Sequence, residues 1–547
     1  MEGIGDDSGE EDGADDMIEA DKVDPTAPKW RHVFTPRTDL PPFTPVAPPG
    51  PTSSLGAEKS ALDFFYLFLD DDFFLSLLNE TDLFAQQERE KAPDKHKMAW
   101  TRPSLEEFKA FFGLIFLMGI DVRPDSKMYW STDYYLQLPA FPKIMTRDRF
   151  FQIYRYLHFR DNNDPSIVTN RLDPGYDAIW KIRPIVDHLN TKFRSRYIPK
   201  ENVSVDESMI PFKGRVHFRQ YMKAKPTKWG IKAWAMAESD SGYMLGLNIY
   251  CGKSDHTEAG LTYKVVMDLV RLCEIQGQGH TIYMDNLYSS TKLFNDLYKT
   301  HLTKAAGTVR LNRKHLPRDI MCKRPLGLEG RGNYVYRYSD PVLALSWQDR
   351  KAVCFLSTTH DTTATTCFRI TKVDNKWEKL VVPQPQLAAD YTAYMGGVDR
   401  CDQMMQYYSF GRKTTKWTKR VFFKLLEITK VNAFILFSKS EHHQPPPGKP
   451  NLSLLQFTQR LISGLIDGYH NPAKRGRPSV TVPNEVRLTA RHLPAKLPNK
   501  SWCHVCWRRV ASGRQEKRRQ TIYGCTECQR HLCLPECFTI YHSVKDY

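Results

Sequence analysis

Two kinds of segment are not expected in this chain. It begins Met-Glu-Gly-Ile-Gly-Asp-Asp, which has neither the basic nor the apolar stretch of a secretory leader. Its longest apolar run, Ala110 to Ile120, is too short to span a bilayer, so no membrane partner is expected. Cysteine is unevenly placed, with 12 in 547 residues and six of them between positions 503 and 537. A secreted disulfide scaffold would be short and would carry a leader. Thiols gathered in one corner of a long chain point instead to a reducing compartment and to metal binding. No internal repeat is visible.

What is present is charge, unevenly spread. The net charge is +16, yet residues 1–50 hold 12 Asp/Glu and 4 Lys/Arg. Subtracting those from the totals of 62 and 78 leaves 50 acidic and 74 basic side chains in the remainder, a balance of +24. A body that basic behind an acidic tail suggests a polyanionic partner, DNA or RNA. The length calls for several domains.

Residues 1–55 are acidic and then proline-rich, without periodic apolar positions, and are expected to be disordered. Residues 60–160 look helical, with an apolar stripe from Phe64 to Leu78 and a capping box, Ser104 with Glu107, ahead of Phe108. A further helix near Thr146 mixes Arg147, Arg149, Tyr154, Arg155, Tyr156 and His158, which fits either phosphate contacts or an amphipathic core helix. From about 200 the pattern is β: Asn202–Val205, Ile231–Ala237 and Tyr243–Tyr250, then a helix at about 258–273 and the strand His280–Met284. Short β-like runs fill 305–385, and the pattern turns helical again from Leu387 to Phe437. Residues 441–500 read as a linker interrupted by one amphipathic segment, Leu454, Phe457, Leu461 and Leu465, expected to dock on the body.

Three stretches place aspartates where a nuclease uses them. Ser-Val-Asp-Glu and Tyr-Met-Asp-Asn put Asp206 and Asp285 at the ends of two strands, and Gly-Gly-Val-Asp-Arg-Cys-Asp puts Asp399 and Asp402 near a helix start, three residues apart and so on one face. Such carboxylates are hard oxygen ligands suited to two Mg²⁺ ions, which would clamp the attacking and leaving oxygens of a phosphodiester. Arg412, Lys413, Lys416, Lys419 and Arg420 follow closely and are candidates for DNA phosphates. In the linker, Lys-Arg-Gly-Arg-Pro reads as the centre of an AT-hook, with Arg475 and Arg477 in a minor groove, as a nuclear localisation signal, or as a plain basic patch.

At the C-terminal end, Cys503-x₂-Cys506, Cys525-x₂-Cys528, Cys533, Cys537 and His542 have the spacing of tetrahedral Zn²⁺ ligands. Two ions need an eighth donor, for which His531 is preferred over His504. The order suggests a cross-brace, with the first and third pairs on one ion and the second and fourth on the other. Arg509, Arg514, Lys517 and Arg519 add a basic surface, suited to DNA phosphate or, alternatively, to a protein tail.

Several blocks together resemble the piggyBac transposase family. They are Val-Ser-Val-Asp-Glu-Ser-Met-Ile-Pro-Phe-Lys-Gly-Arg (203–215), Lys-Pro-Thr-Lys-Trp-Gly-Ile-Lys (225–232), Ile-Tyr-Met-Asp-Asn-Leu-Tyr-Ser-Ser (282–290), Met-Gly-Gly-Val-Asp-Arg-Cys-Asp-Gln-Met (395–404) and Tyr-Tyr-Ser-Phe-Gly-Arg-Lys-Thr-Thr-Lys-Trp (407–417). The resemblance implies a multidomain α/β protein with an RNase H-like catalytic core at 201–310, completed by 386–408. It implies an insertion domain at 311–385 and a helical DNA-binding and dimerisation domain at 56–200, completed by 409–440. The basic linker would then be 441–500 and the zinc-binding domain 501–547, a binder of transposon ends. It further implies that Asp206, Asp285 and Asp399 are the catalytic aspartates, with Asp402 beside them, and that Trp417 handles distorted DNA. The expected activity is Mg²⁺-dependent cut-and-paste transposition at TTAA sites through hairpin ends, by a nuclear homodimer acting on transposon-end and target DNA. A domesticated DNA-binding protein without nuclease activity and a zinc-finger chromatin adaptor are the competing expectations.

Overall fold

The computed structural model describes the chain except residues 1–26, 38, 94–97, 224–227, 253–259, 323–324, 326–327, 374–375, 412–413, 471–487, 489–490 and 546–547, and except the side chains of 373 and 376. It divides into two compact units, Met1–Asn471 and Pro472–Tyr547.

The first unit begins with helices α1 (Ala61–Tyr66), α2 (Asp71–Lys91), α3 (Leu105–Ile120), α4 (Ala140–Ile144), α5 (Arg147–Tyr156) and α6 (Arg183–Ser195). Four of their starts are set by local chemistry: Ser60, Asp70, Ser104 and Thr146 each accept the amide hydrogen of the residue three positions on. The expected reciprocal box at Ser104 is only half made. Glu107 turns away to form a bidentate pair with Arg149, at 2.7 and 2.8 Å, which ties α3 to α5. The remaining cation-aromatic face of α5 is also structural in part, since Tyr154 and Tyr156 are buried and His158 stacks on Phe84 at 4.0 Å.

Two-residue strands β1 (Gly50–Pro51) and β2 (Tyr197–Ile198) pair with each other. The main sheet follows: β3 (Asn202–Pro211), β4 (Arg219–Tyr221), β5 (Trp229–Glu238), β6 (Met244–Ile249), helix α7 (Leu261–Leu272), β7 (Thr281–Met284), helix α8 (Thr291–His301) and β8 (Lys304–Thr308). In space the run is β6-β5-β3-β7-β8, with β5 antiparallel to β3 and with β7 and β8 parallel to it. Numbered along the chain that order is 3-2-1-4-5 with the second strand reversed, which is an RNase H-like core. The residues expected to form an insertion extend the same sheet: β9 (Tyr334–Ser339), β10 (Val342–Gln348) and β11 (Ala352–Ser357) continue it beyond β8. Only the ribbon β12 (Ala364–Val373) and β13 (Lys376–Pro385) stands as a separate two-stranded sheet.

Helices α9 (Gln386–Tyr394), α10 (Gly397–Tyr407), α11 (Trp417–Lys439) and α12 (Leu454–Ile466) complete the unit. Most of α11 is buried, and its apolar residues join those of α1–α6 and of the sheet in one continuous core. Within that core Lys430 pairs with Glu427 at 2.5 Å. Lys430 Nζ also donates to the Tyr408 carbonyl at 2.9 Å, and Glu427 Oε1 accepts from Phe410 N at 3.0 Å. This buried pair therefore fixes the turn that follows α10. The segment expected to dock does so as α12, burying Phe457, Leu461 and Leu465 so closely against α3 that a Cβ on Gly113 would lie 2.8 Å from Ile466.

The proline-rich segment departs from expectation. From residue 27 onward, apart from residue 38, it is described and held on the body. Arg37 donates to the carbonyls of Pro341, His360 and Ser357, Trp30 Nε1 donates to the His315 carbonyl, and Thr44 N to the Gln278 carbonyl. Prolines lack the donors for a ladder, but side chains and single amides still fasten an extended strap. The acidic residues 1–26 lie outside the described residues.

In the second unit β14 (Pro494–Trp502), β15 (Gln520–Cys525) and β16 (Arg530–His531) form a small antiparallel sheet. Helices α13 (His504–Ala511) and α14 (Glu536–Ser543) flank it in sequence. The compact C-terminal unit thus reaches back into what reads as linker, since β14 begins before residue 501.

Candidate active site and cysteine-histidine clusters

Register brings the first two aspartates together. β3 and β7 pair in parallel with Val205 opposite Met284, so Asp206 and Asp285 are the next residues on neighbouring strands. Alternation along a strand puts Ser204, Asp206 and Ser208 on one face of β3 and Tyr283 and Asp285 on one face of β7. That face is the one α9 and α10 cover: Tyr283 packs on Tyr394, Ser204 Oγ accepts from Val398 N at 3.3 Å, and Ser208 Oγ donates to Asp402 at 2.9 Å. Asp206 lies between the two points at which α10 touches β3. The approach needs a bare backbone, because a Cβ on Gly397 would sit 2.5 Å from Ser204 Oγ and 2.8 Å from the Glu238 carbonyl.

The electrostatics agree with that placement. The field of both Asp206 and Asp285 reaches Lys232, Tyr288 and Tyr391. Burial lowers the pKa of the Lys232 ammonium against the pull of Glu207, 3.3 Å away, and of the two aspartates. Burial, followed by nearby charges, raises both phenols. Asp206 Oδ1 accepts from Glu207 N and Asp285 Oδ1 from Leu287 N, each at 2.7 Å, so backbone amides orient both carboxylates. Asp402 accepts from Lys424 Nζ at 2.7 Å. Asp399, exposed on α10, lines with Asp402, Glu207 and Lys424 a cavity of about 320 Å³ between β3, α10 and α11. Among the described residues, no three of these carboxylates bring oxygens within 4.8 Å of one another. Like charges held on a rigid frame stand apart, and Asp402 is drawn to its own lysine.

Of the cations expected to meet DNA, Lys416 is exposed at the start of α11, with Trp417 half-buried beside it and edge-on to Phe218 at 5.3 Å. Lys419 is otherwise occupied, which corrects its expected role. It is buried, and its Nζ donates to the carbonyls of Tyr154 and Arg155 (3.0 Å for the latter) at the end of α5. Carbonyls in the last turn of a helix attract a cation. Arg420 is likewise committed, donating to the Pro211 carbonyl at 2.8 Å. Arg412, Lys413, Arg475 and Arg477 lie outside the described residues.

The C-terminal unit gathers its donors in two groups, each with ligand atoms within 4.8 Å of one another: Cys503, Cys506, Cys533 and Cys537, and His492, Cys525, Cys528 and His542. The first and third pairs fall together and the second joins His542, in cross-brace order. The eighth donor is His492, not His531. Pairing of Pro494 with Cys525 across β14 and β15 carries His492 to the second cluster, where its Nδ1 lies 3.3 Å from Cys525 Sγ and 3.5 Å from Cys528 Sγ. His531 Nε2 instead meets the Asn499 carbonyl at 2.6 Å. His504, the other candidate, is edge-on to Tyr541. Sulfur separations of 3.5 to 4.0 Å around Cys506 match the edge of a tetrahedron of thiolates bound at 2.3 Å, about 3.8 Å. His542 is oriented by Nδ1 facing the Phe538 carbonyl at 2.8 Å, with Nε2 toward Cys528. The soft donor set and spacing are compatible with zinc.

A family profile described as Transposase IS4 matches residues 60–434. The human PiggyBac transposable element-derived protein 3 is 27% identical over 509 residues, which are 89% of this chain and 76% of that protein. The human PiggyBac transposable element-derived protein 2 is 27% identical over 444 residues, 79% of this chain and 69% of the relative. Among solved structures, the piggyBac transposase in a synaptic complex with hairpin DNA superposes with a TM-score of 0.66 at 22% identity, over 89% of this chain and 98% of that one. Profile, relatives and fold agree, and the chain belongs to the piggyBac-type transposase family.

Proposed function

We propose that this protein is an active DNA transposase that cuts and rejoins DNA at TTAA sites, with Asp206, Asp285, Asp399 and Asp402 as the catalytic carboxylates. The observation that supports this reading is the register of β3 and β7, which sets Asp206 beside Asp285 on the face covered by the helix that bears Asp399 and Asp402. The donors are all hard oxygens: Asp206 lies midway along β3 and not at the strand end expected of it, Asp285 just past the end of β7, and Asp399 and Asp402 on a helix packed on the sheet, so they fit Mg²⁺. Two bound ions would supply Lewis-acid stabilisation of the phosphodiester's attacking and leaving oxygens. The chain's own part is positional. Backbone amides hold one oxygen each of Asp206 and Asp285, while Ser208 and Lys424 hold Asp402 until substrate and ions compete for it. A DNA 3′-hydroxyl released by hydrolysis then attacks the opposite strand, exchanging one phosphodiester for another and closing a hairpin. After the hairpin opens, the same hydroxyl joins target DNA.

Lys416 and Trp417 stand at the exposed start of α11 and suit the distorted end of that DNA. The cysteine-histidine unit, with Zn²⁺ on each cluster, would hold transposon ends through its arginines, and the whole is read as a nuclear homodimer. Excision of a TTAA-flanked cassette from a reporter plasmid in cells tests the proposal. Restored reporter with the parent chain, and none with Asp285→Asn, supports it. DNA binding without excision would assign the chain instead to the domesticated, nuclease-free class.

A further inference from the structure

The ribbon β12–β13 presents an unusual surface. Its inner face is pinned. Arg331 and Arg369 both bind Asp349, Arg331 also donates to Thr371 Oγ1, and Trp347 Nε1 donates to the Pro383 carbonyl at 3.1 Å. Val382 on that face is buried. The register then fixes which residues face outward: Phe368 opposite Val381, Ile370 opposite Lys379, and Lys372 opposite Trp377. These apolar side chains lie bare, with Phe368 62%, Ile370 64%, Trp377 72% and Val381 60% exposed. A sheet face held rigid from behind while its aromatic side stays wet is a surface built for a partner.

Charge and shape select the partner. Among the described outward positions there is no carboxylate, while Lys372 and Lys379 stand between the rings, Lys379 Nζ 4.0 Å from the Phe368 ring centroid. A second copy laid face to face would set these lysines against their own counterparts with no acid to offset them. A duplex hides its base faces. Unpaired DNA offers both bases to stack on rings and phosphates to meet cations. The Phe368 and Trp377 rows are four residues apart along the ribbon, about 13 Å, which is roughly the reach of two nucleotides of an extended strand. Moreover, β13 runs directly into α9, which packs over Tyr283 beside Asp285, so the ribbon springs from the same frame as the carboxylates.

We infer that the outer face of the β12–β13 ribbon binds unpaired single-stranded DNA, stacking bases on Phe368 and Trp377 and drawing phosphates to Lys372 and Lys379. The inference rests on the proposed transposase reading, but it is tested apart from cleavage. Binding of the full-length chain to an oligothymidylate and to a duplex of equal length is measured with EDTA present. Replacing both rings, Phe368→Ala with Trp377→Ala, should weaken oligothymidylate binding about tenfold or more and leave duplex binding unchanged, because these side chains support no core. Trp377→Tyr should retain most of the affinity, and Asp206→Asn should bind as the parent does. Unchanged oligothymidylate binding by the double variant, or no such binding by the parent, would overturn the inference. So would a loss of self-association in sedimentation with DNA binding intact, which would give the face to a second copy. None of these outcomes depends on whether Asp206 cleaves.

Discussion

Replacing Gly397 by alanine would test how α10 is seated. The added Cβ would lie 2.5 Å from Ser204 Oγ, 2.8 Å from the Glu238 carbonyl oxygen and 3.1 Å from that carbonyl carbon. The hydroxyl can rotate away, but the Glu238 backbone belongs to β5 and cannot. Overpacking of this kind costs about 1–3 kcal/mol. Alanine's better helix propensity returns at most about 1 kcal/mol, and less at the first turn than in a helix interior. The net is a local destabilisation of about 1–2 kcal/mol, or a 5–30-fold loss of protection. Hydrogen exchange over 397–407 would show faster exchange confined to α10, with Asp399 and Asp402 displaced and cleavage reduced. Adding Ser204→Gly removes the hydroxyl but not the carbonyl, so protection should recover in part. Normal protection in Gly397→Ala, or full recovery on adding Ser204→Gly, would refute the close contact between α10 and β5.

Other consequences separate the groups from one another. His492→Ala should halve the zinc content of the purified protein by metal analysis, whereas His531→Ala should leave it unchanged. Lys416→Ala should weaken duplex binding and flatten its salt dependence, while Lys419→Met should lower thermal stability with little effect on DNA affinity. His158 is held neutral: burial, then Lys181, pushes its pKa from 6.5 down to about 4. The unfolded chain takes up that proton first, so the stability present above pH 6.5 falls as the pH drops toward 4, by up to about 1.4 kcal/mol per unit. His158→Phe, which keeps a ring on Phe84, should flatten that limb in melting temperatures measured across the range.

Much of the RNase H-like core was legible because its signals are local. The runs around Val203, Ile231 and Ile282 read as strands, although the first continues to Pro211, past the Val205 at which it was expected to end, and is followed by the unexpected short strand β4. What sequence could not show is where the chain returns on itself. His492 stands eleven positions before Cys503, outside any metal-ligand spacing, and only the pairing of β14 with β15 carries it to Cys525. The legible hint was a histidine just ahead of the Cys-rich segment. Lys419 has the same character in sequence as exposed Lys416. It is the burial of α11 against the end of α5 that makes one a structural cation. The strap at 27–55 was unreadable for a related reason, because its order comes from Arg37, Trp30 and single amides meeting carbonyls hundreds of residues away. The insertion's strands read as short β runs, but nothing local says that β11 joins β8 and so lengthens the core sheet.

The central claim is that the carboxylates of β3, β7 and α10 act together on divalent ions. The most direct measurement is strand cleavage of a transposon-end duplex with and without Mg²⁺, by the parent chain and by Asp206→Asn, Asp285→Asn and Asp399→Asn, with duplex affinity measured on the same preparations. Mg²⁺-dependent cleavage is expected of the parent and none of each variant, with affinities within about twofold of one another, because one neutralised carboxylate among many cations changes phosphate binding little. Cleavage at the parent's rate by any of the three variants would contradict it.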